Sequence, residues 1–250
     1  MARKAAVVFI LLLATLAFYL HDQKTNPPGF YLDEASIALN AITIARYGTD
    51  EFGTPHPFYF RAFGEYKNPV YIYALAGVFE VLYPSDLVAR RFSAILGWLG
   101  TIAIGVLAWR VARRPWMTAA MFLLAALTPA IFEISRVVFE VALFPLAIAL
   151  FLIAVHAAHT RVRWSAGLVL GLVASLAFVN YSYTAGRMLA PMYAAGLLLF
   201  YTRDRRRALV AALALYTLTS IVPVVLYNSA TGGALLARGR DTSYFIFFKD

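Results

Sequence analysis

The sequence predicts an all-α fold: a polytopic transmembrane helical bundle of seven spans, with in-plane juxtamembrane helices in its first outer loop. Three observations carry this. Hydrophobic residues make up 62% of the 250-residue chain and charged residues only 14%, with a mean hydropathy of +0.71, well outside the range of ordinary soluble domains. Apolar runs of about 20 residues recur between charged boundaries, the length a helix needs to cross a bilayer. Basic residues are also sorted between alternate loops, as the orientation of membrane helices requires.

The first run, Ala5 to Leu20, follows Arg3 and Lys4. It has the look of either a signal peptide or a first span, and the many spans behind it favour retention as a span. Residues 21–87 form a long outer loop rich in Pro, Gly, Tyr and Phe. Within it Glu34–Tyr47 repeats Ile37, Ala41, Ile44 and Ala45 at helical spacing and stops at Gly48, which predicts a short helix. Val70–Tyr83 is apolar but short, holds Glu80 and closes at Pro84, so it suits a second helix lying in the interface.

Six further spans are predicted within 88–227: Val88–Ala112, Trp116–Phe132, Val141–Ala158, Trp164–Tyr181, Leu189–Tyr201 and Leu209–Tyr227. Residues 228–250 begin another outer loop. None of these spans reads as interrupted, and no internal repeat is visible. Gly167, Gly171 and Ser175 share one helix face and are expected to let two helices approach closely.

Seven spans place Arg3, Lys4, Arg110, Arg113, Arg114, Arg161, Arg163, Arg203, Arg205, Arg206 and Arg207 on one side, with Asp204 as the sole acid. The other side keeps eleven basic and twelve acidic residues. The positive-inside rule then puts the amino terminus in the cytoplasm and the loop carrying Asp33 and Glu34 outside. This sorting accounts for the net charge of +9 without nucleic acid as a partner. The absence of cysteine removes disulfides and thiolate metal sites, and the four histidines show no metal-binding spacing.

On the outer face this topology gathers Asp33, Glu34, Lys67, Arg90, Arg91, Glu133, Arg136, Glu140 and Arg187. Ionisable groups at membrane depth are costly and need a partner or a task. Structural roles exist for each: acids at a helix start, i to i+3 and i to i+4 ion pairs of Arg136 with Glu133 and Glu140, and arginines reaching to headgroups. Their joint arrival on one face favours a site for a lipid-borne, phosphorylated substrate. A carboxylate there serves as general base, lysine and arginine neutralise phosphate, and aromatic faces carry sugar rings.

The segments "YLDEASIALNA", "FRAFGEYKNPVYIY", "VARRFSAILG", "FEISRVVFEVALF" and "YSYTAGRMLAP", in this order, resemble bacterial membrane glycosyltransferases of the C-type fold (GT-C). The nearest are the protein O-mannosyltransferase and aminoarabinose-transferase-like families, which use polyprenyl-phosphate sugars. The resemblance covers nearly the whole chain. It implies Asp33 as the catalytic aspartate with Glu34 as its acidic neighbour. It further implies that Lys67, Arg90, Arg136 and Arg187 serve the donor phosphate, and that Glu140 is the acid of the second outer loop.

Departures are visible: Asn68 separates Lys67 from Pro69, and Arg91-Phe92 stand where the family has Leu-Pro. The implied chemistry is inverting transfer to an acceptor hydroxyl of a protein, lipid or glycan. Polyprenyl phosphate is the leaving group, with no metal or other cofactor. Relatives of this kind are about twice as long, so the chain reads as the amino-terminal module of such an enzyme. A non-enzymatic transporter or flippase of lipid-linked sugars is the rival from another class, and it predicts repeats and broken helices at the bilayer midplane.

Overall fold

The computed structural model describes residues 2–236. It is mostly helical, and the first helix, α1 (Ala2–Leu20), matches the first predicted span. Helix α2 (Leu32–Tyr47) starts where the Glu34 carboxylate accepts from the Tyr31 backbone N–H at 3.0 Å. It ends at Gly48, whose φ of 69° is the left-handed position that glycine takes without a Cβ clash.

A two-stranded hairpin then interrupts the all-α pattern: β1 (Phe60–Ala62) pairs antiparallel with β2 (Glu65–Lys67), Phe60 opposite Lys67. Its turn holds Phe63 and Gly64 at φ 48° and 84°, the two positive values that a two-residue hairpin turn of the primed type demands. The sequence reading did not include these strands.

Helix α3 (Pro69–Val81) opens on a proline, whose missing N–H costs nothing at a first helical position. It buries Tyr71, Ile72, Leu75, Ala76 and Phe79 against Ile37, Ala41 and Ile44 of α2. The flank of Val70, Tyr73, Gly77 and Val81 is the more exposed one.

Helix α4 (Asp86–Ala112) is capped by the Ser85 hydroxyl, which accepts from Val88 N–H, and carries Asp86 in its first turn. Its 27 residues run about 40 Å. Helices α5 (Pro115–Leu127) and α6 (Pro129–Ser135) meet at a 56° bend. The expected straight span Trp116–Phe132 is therefore broken, because Pro129 cannot donate to the ladder and drives Thr128 to an extended ψ of 117°.

A single 3-10 turn (Glu140–Leu143) leads into α7 (Phe144–His159), followed by α8 (Ala166–Ser182) and α9 (Gly186–Gly196). The last stretch joins α10 (Arg206–Tyr216), a π-helical turn at Thr217–Ile221 and α11 (Val222–Ala230). Of the predicted loop at 228–250, residues 237–250 lie outside the described residues.

Three helical stretches among the described residues are long and apolar enough to cross a membrane: Asp86–Ala112, Glu140–His159 and Arg206–Ala230. The bent pair α5–α6 makes a fourth if it acts as one span. Ala6–Leu20, Pro69–Val81, Ala166–Ser182 and Gly186–Phe200 are apolar but shorter. The chain is thus built for membrane association.

Two large apolar cores organise the bundle, and a smaller cluster of Tyr19, Ala94 and Ala126 packs α1 against α4 and α5. One joins α7 to α10 through Leu172, Leu176, Val179, Ala190, Leu209 and Tyr216. The other packs α2, α3 and the start of α4 around Ile37, Tyr71, Ile72, Leu75, Ala89 and Val138. Close helix approach occurs along α4, and not at Gly167 or Gly171 of α8. A Cβ on Gly97 would lie 2.4 Å from Ser135 Cβ, and one on Gly100 3.1 Å from Leu146 N, whereas Gly167 and Gly171 face open space. The expectation of close packing at those two glycines is corrected accordingly, and only Ser175 of that face is buried.

Candidate functional site

Asp33 and Glu34 stand side by side in the first turn of α2, and the rotation of about 100° per helical residue sends them to different surroundings. Glu34 is wholly buried. Its carboxylate accepts from Arg90 Nε at 3.2 Å and Nη2 at 3.0 Å, from Val138 N–H at 3.0 Å and from Tyr31 N–H. Arg90, one turn into α4, also donates to the carbonyls of Pro27 (2.8 Å) and Gly29, and its guanidinium lies over the Phe30 ring. One buried pair thus ties α2, α4, the 23–30 loop and the segment after α6 to one another. Each lone pair and proton of the pair has good partners, the condition under which a buried charge pair is tolerated.

Asp33 keeps a side chain 53% exposed, and its Oδ1 accepts from Lys67 Nζ at 2.6 Å. Lys67 is itself mostly buried at the end of β2, so the hairpin delivers its ammonium to the open carboxylate. Both line a cleft of about 180 Å³, together with Ile37, Tyr66, Phe139, Glu140, Tyr183 and Thr184.

Behind the cleft lies a polar chain. Glu140 accepts from the Asn68 backbone N–H and, at 2.8 Å, from the Asn68 amide. The Asn68 amide oxygen in turn accepts from Arg187 Nε at 3.1 Å and Nη2 at 2.9 Å. Arg187 also donates to the carbonyls of Tyr66 and Leu235, and its guanidinium sits 4.6 Å from the Tyr59 ring centre. Burial pushes the Tyr59 hydroxyl well above the ordinary phenol range, against the opposing pull of Arg187. Around it Phe58, Tyr59, Tyr66, Tyr181 and Tyr227 form one aromatic cluster at 5.0–6.2 Å between ring centres.

Arg136 is 2% exposed and caps α6. Its Nη2 donates to the Asn26 carbonyl at 2.7 Å, its guanidinium lies over Phe132, and its Nε has no partner among the described residues. The helical ion pairs expected for Arg136 with Glu133 and Glu140 do not form. The helix ends at Ser135, and the chain turns before the 3-10 turn at Glu140, so the i to i+4 spacing no longer puts the two groups on one face.

Of the seven residues singled out in the sequence, the structure brings Asp33, Lys67 and Glu140 to one cleft, with Arg187 one asparagine behind. It sets Glu34 and Arg90 apart as a closed pair and leaves Arg136 in a separate buried niche. Arg90 is not among the residues lining the cleft, and its guanidinium is held by Glu34 and by loop carbonyls. Asn68 was missed, although it stands in the sequence as a departure from the Lys-Pro pattern. Tyr66 and Tyr183, aromatic residues of the outer face, line the cleft with Thr184, which the sequence does not single out. Among the described residues no group of three or more potential metal ligands gathers. Comparison with known protein families, with curated proteins and with solved structures finds no match.

Proposed function

We propose that the chain is the GT-C-type module of an inverting glycosyltransferase. It moves a sugar from a polyprenyl-phosphate donor to an acceptor hydroxyl at the extracytoplasmic face, on a bundle of seven spans with α2 and α3 lying in the plane of the membrane. The observation that supports it most is the Asp33–Lys67 pair: a half-exposed carboxylate and a buried ammonium in direct contact at the mouth of a polar cleft. The donor phosphodiester carries one negative charge, as Asp33 does, and gains a second as the glycosidic C–O bond breaks, so Lys67 passes from the carboxylate to the phosphate as transfer proceeds. The freed carboxylate takes the acceptor hydroxyl proton as that oxygen attacks the anomeric carbon, and polyprenyl phosphate leaves from the opposite side with its charge held by Lys67.

Glu140, Asn68 and Arg187 act one layer back. They fix the end of β2 and the start of α3, and so the position of Lys67. Tyr66 and Tyr183 at the cleft supply apolar faces for a sugar ring. Glu34 and Arg90 hold α2 at its angle.

The test is sugar transfer from a polyprenyl-phosphate donor in membranes holding the native gene product, compared with Asp33→Asn and Lys67→Met. Transfer lost in both, with polyprenyl-phosphate binding weakened only by Lys67→Met, supports the reading. Transport of a lipid-linked sugar without transfer, unaffected by Asp33→Asn, overturns it.

A further inference from the structure

At the end of the bundle remote from Asp33, a groove of about 430 Å³ opens between the first half of α1 and the α4–α5 pair. Its volume falls in the ordinary range of ligand sites, about 300–1,000 Å³. The walls are apolar: Val8 and Leu12 from α1, Val106 and Trp109 from α4, Ala119 and Phe122 from α5. Thr118 is the one lining hydroxyl, and it is spent on the Arg114 carbonyl at 3.3 Å.

The geometry of α1 explains the opening. Its second half is fastened to the bundle, with Trp98 Nε1 donating to the Thr15 hydroxyl at 3.1 Å and the Tyr19 hydroxyl to the Ala126 carbonyl at 3.2 Å. Val7, Val8, Phe9 and Ile10 in its first half are 52–61% exposed. Across the groove α4 and α5 stay close, because Gly105 brings its backbone against Phe122. The result is a slot bordered by the exposed first half of α1.

Charge marks what fills it. Arg110 lies in the last turn of α4, Arg113 takes the left-handed cap at φ 55°, and Arg114 precedes Pro115, so the three arginines flank the lining residues Trp109 and Pro115 in the chain. All three arginines are exposed and form no ion pair among the described residues. Residues 87–132 contain no Asp or Glu, nor do residues 1–21, so nothing in the surrounding helices balances this charge. The Trp109 indole N–H likewise has no acceptor among the described residues and is available beside them. From Arg90 to Arg110 the helix rises about 30 Å, the thickness of a bilayer core, which sets these cations at a headgroup layer opposite that of Asp33.

We infer that the groove binds an anionic glycerophospholipid of the leaflet opposite the Asp33 cleft. One acyl chain lies in the slot, and the phosphate sits among Arg110, Arg113 and Arg114. An acyl chain suits a surface with no free hydrogen-bonding group along its length, and the arginine fork suits a phosphate at its end. The inference rests on the membrane placement alone and is independent of the chemistry at Asp33.

The purified full chain in nanodiscs containing equal phosphatidylglycerol and phosphatidylcholine provides the test, with bound lipid read by native mass spectrometry. The expected result is phosphatidylglycerol enriched about tenfold or more. Arg113→Gln should lower that enrichment by about fivefold, the effect of one cation near an anionic surface. Val106→Trp should fill the slot and remove the bound lipid, and Ala119→Phe serves the same purpose if the first variant does not fold. Lys67→Met should leave retention unchanged, which separates this lipid from the donor.

Equal retention of both lipids overturns the proposal, as does full retention in the filled variants. So does a disulfide-linked dimer from a cysteine placed at Val106 in this otherwise cysteine-free chain, because a second copy would then cover the groove.

Discussion

Asp33 and Glu34 are neighbours in sequence and opposites in structure. Glu34 is sealed, with both oxygens committed to Arg90 and to two backbone N–H groups, and its removal would strand a buried guanidinium. Asp33 has one side-chain partner among the described residues, Lys67, and about half of its side chain is exposed. With the carboxylate half in water and Lys67 buried, this pair lies nearer the roughly 0.2–1 kcal/mol of exposed pairs than the about 3–5 kcal/mol that breaking a fully buried one costs. Burial and partner count thus tell two like groups apart, one sealed and the other, in the proposed mechanism, free to exchange its partner.

The largest expected effect on the fold is at Glu34. Glu34→Gln leaves Arg90 charged and sealed, and turns an amide donor toward groups that are themselves donors. Thermal unfolding should show a loss of about 3–5 kcal/mol, and folded yield should fall with it. Donor affinity per folded molecule should stay unchanged; an unaltered melting temperature would dissolve the contrast between the two acids.

Asp33→Asn comes next, with the effect moved from stability to chemistry. Transfer should drop about 10²-fold or more, the usual worth of a general base, while stability shifts by no more than about 1 kcal/mol. Lys67→Met should weaken polyprenyl-phosphate binding about tenfold or more, the loss expected for a charge-assisted hydrogen bond. The smallest effect is a coupling: a double-mutant cycle on the stability of Asp33→Asn and Lys67→Met should give under about 1 kcal/mol. A coupling of several kcal/mol would make this pair a second lock and remove its exchangeability.

Long-range periodicity made the helices legible. Apolar runs announced α4, α7 and the α10–α11 stretch, and Gly48 marked the end of α2 through its need for positive φ. Local punctuation was read less well. Thr128-Pro129 is a plain break signal within an otherwise continuous apolar run, and the run masked it. The hairpin at 60–67 escaped because its turn uses Phe63-Gly64 in place of the usual Asn-Gly, and its strands are only three residues long. Glycine spacing on α8 suggested a packing face, but the glycines that admit neighbouring backbone are Gly100 and Gly186. A Cβ there would meet Leu146 N and the Val179 carbonyl oxygen, whereas at Gly97 the neighbour is the Ser135 side chain.

The ionisable residues themselves were visible, and their grouping was not. Sequence order placed Asp33, Glu34, Lys67 and Arg90 on one face, yet which acid meets which cation depends on the hairpin that carries Lys67 and on the loop carbonyls of Pro27 and Gly29 that anchor Arg90. Asn68 illustrates the same point. A sequence departure marked it, and only the fold revealed it as the link between Glu140 and Arg187.

The central claim is that Asp33 is the exchangeable base and that its link to Lys67 yields to the donor phosphate. The most direct measurement is polyprenyl-phosphate binding and sugar transfer side by side in the native gene product and in Asp33→Asn, at equal folded fraction. Binding should be kept or tightened, because Lys67 no longer has a competing partner, while transfer falls by about 10²-fold or more. Undiminished transfer in Asp33→Asn, or a parallel loss of binding and transfer, would contradict the account.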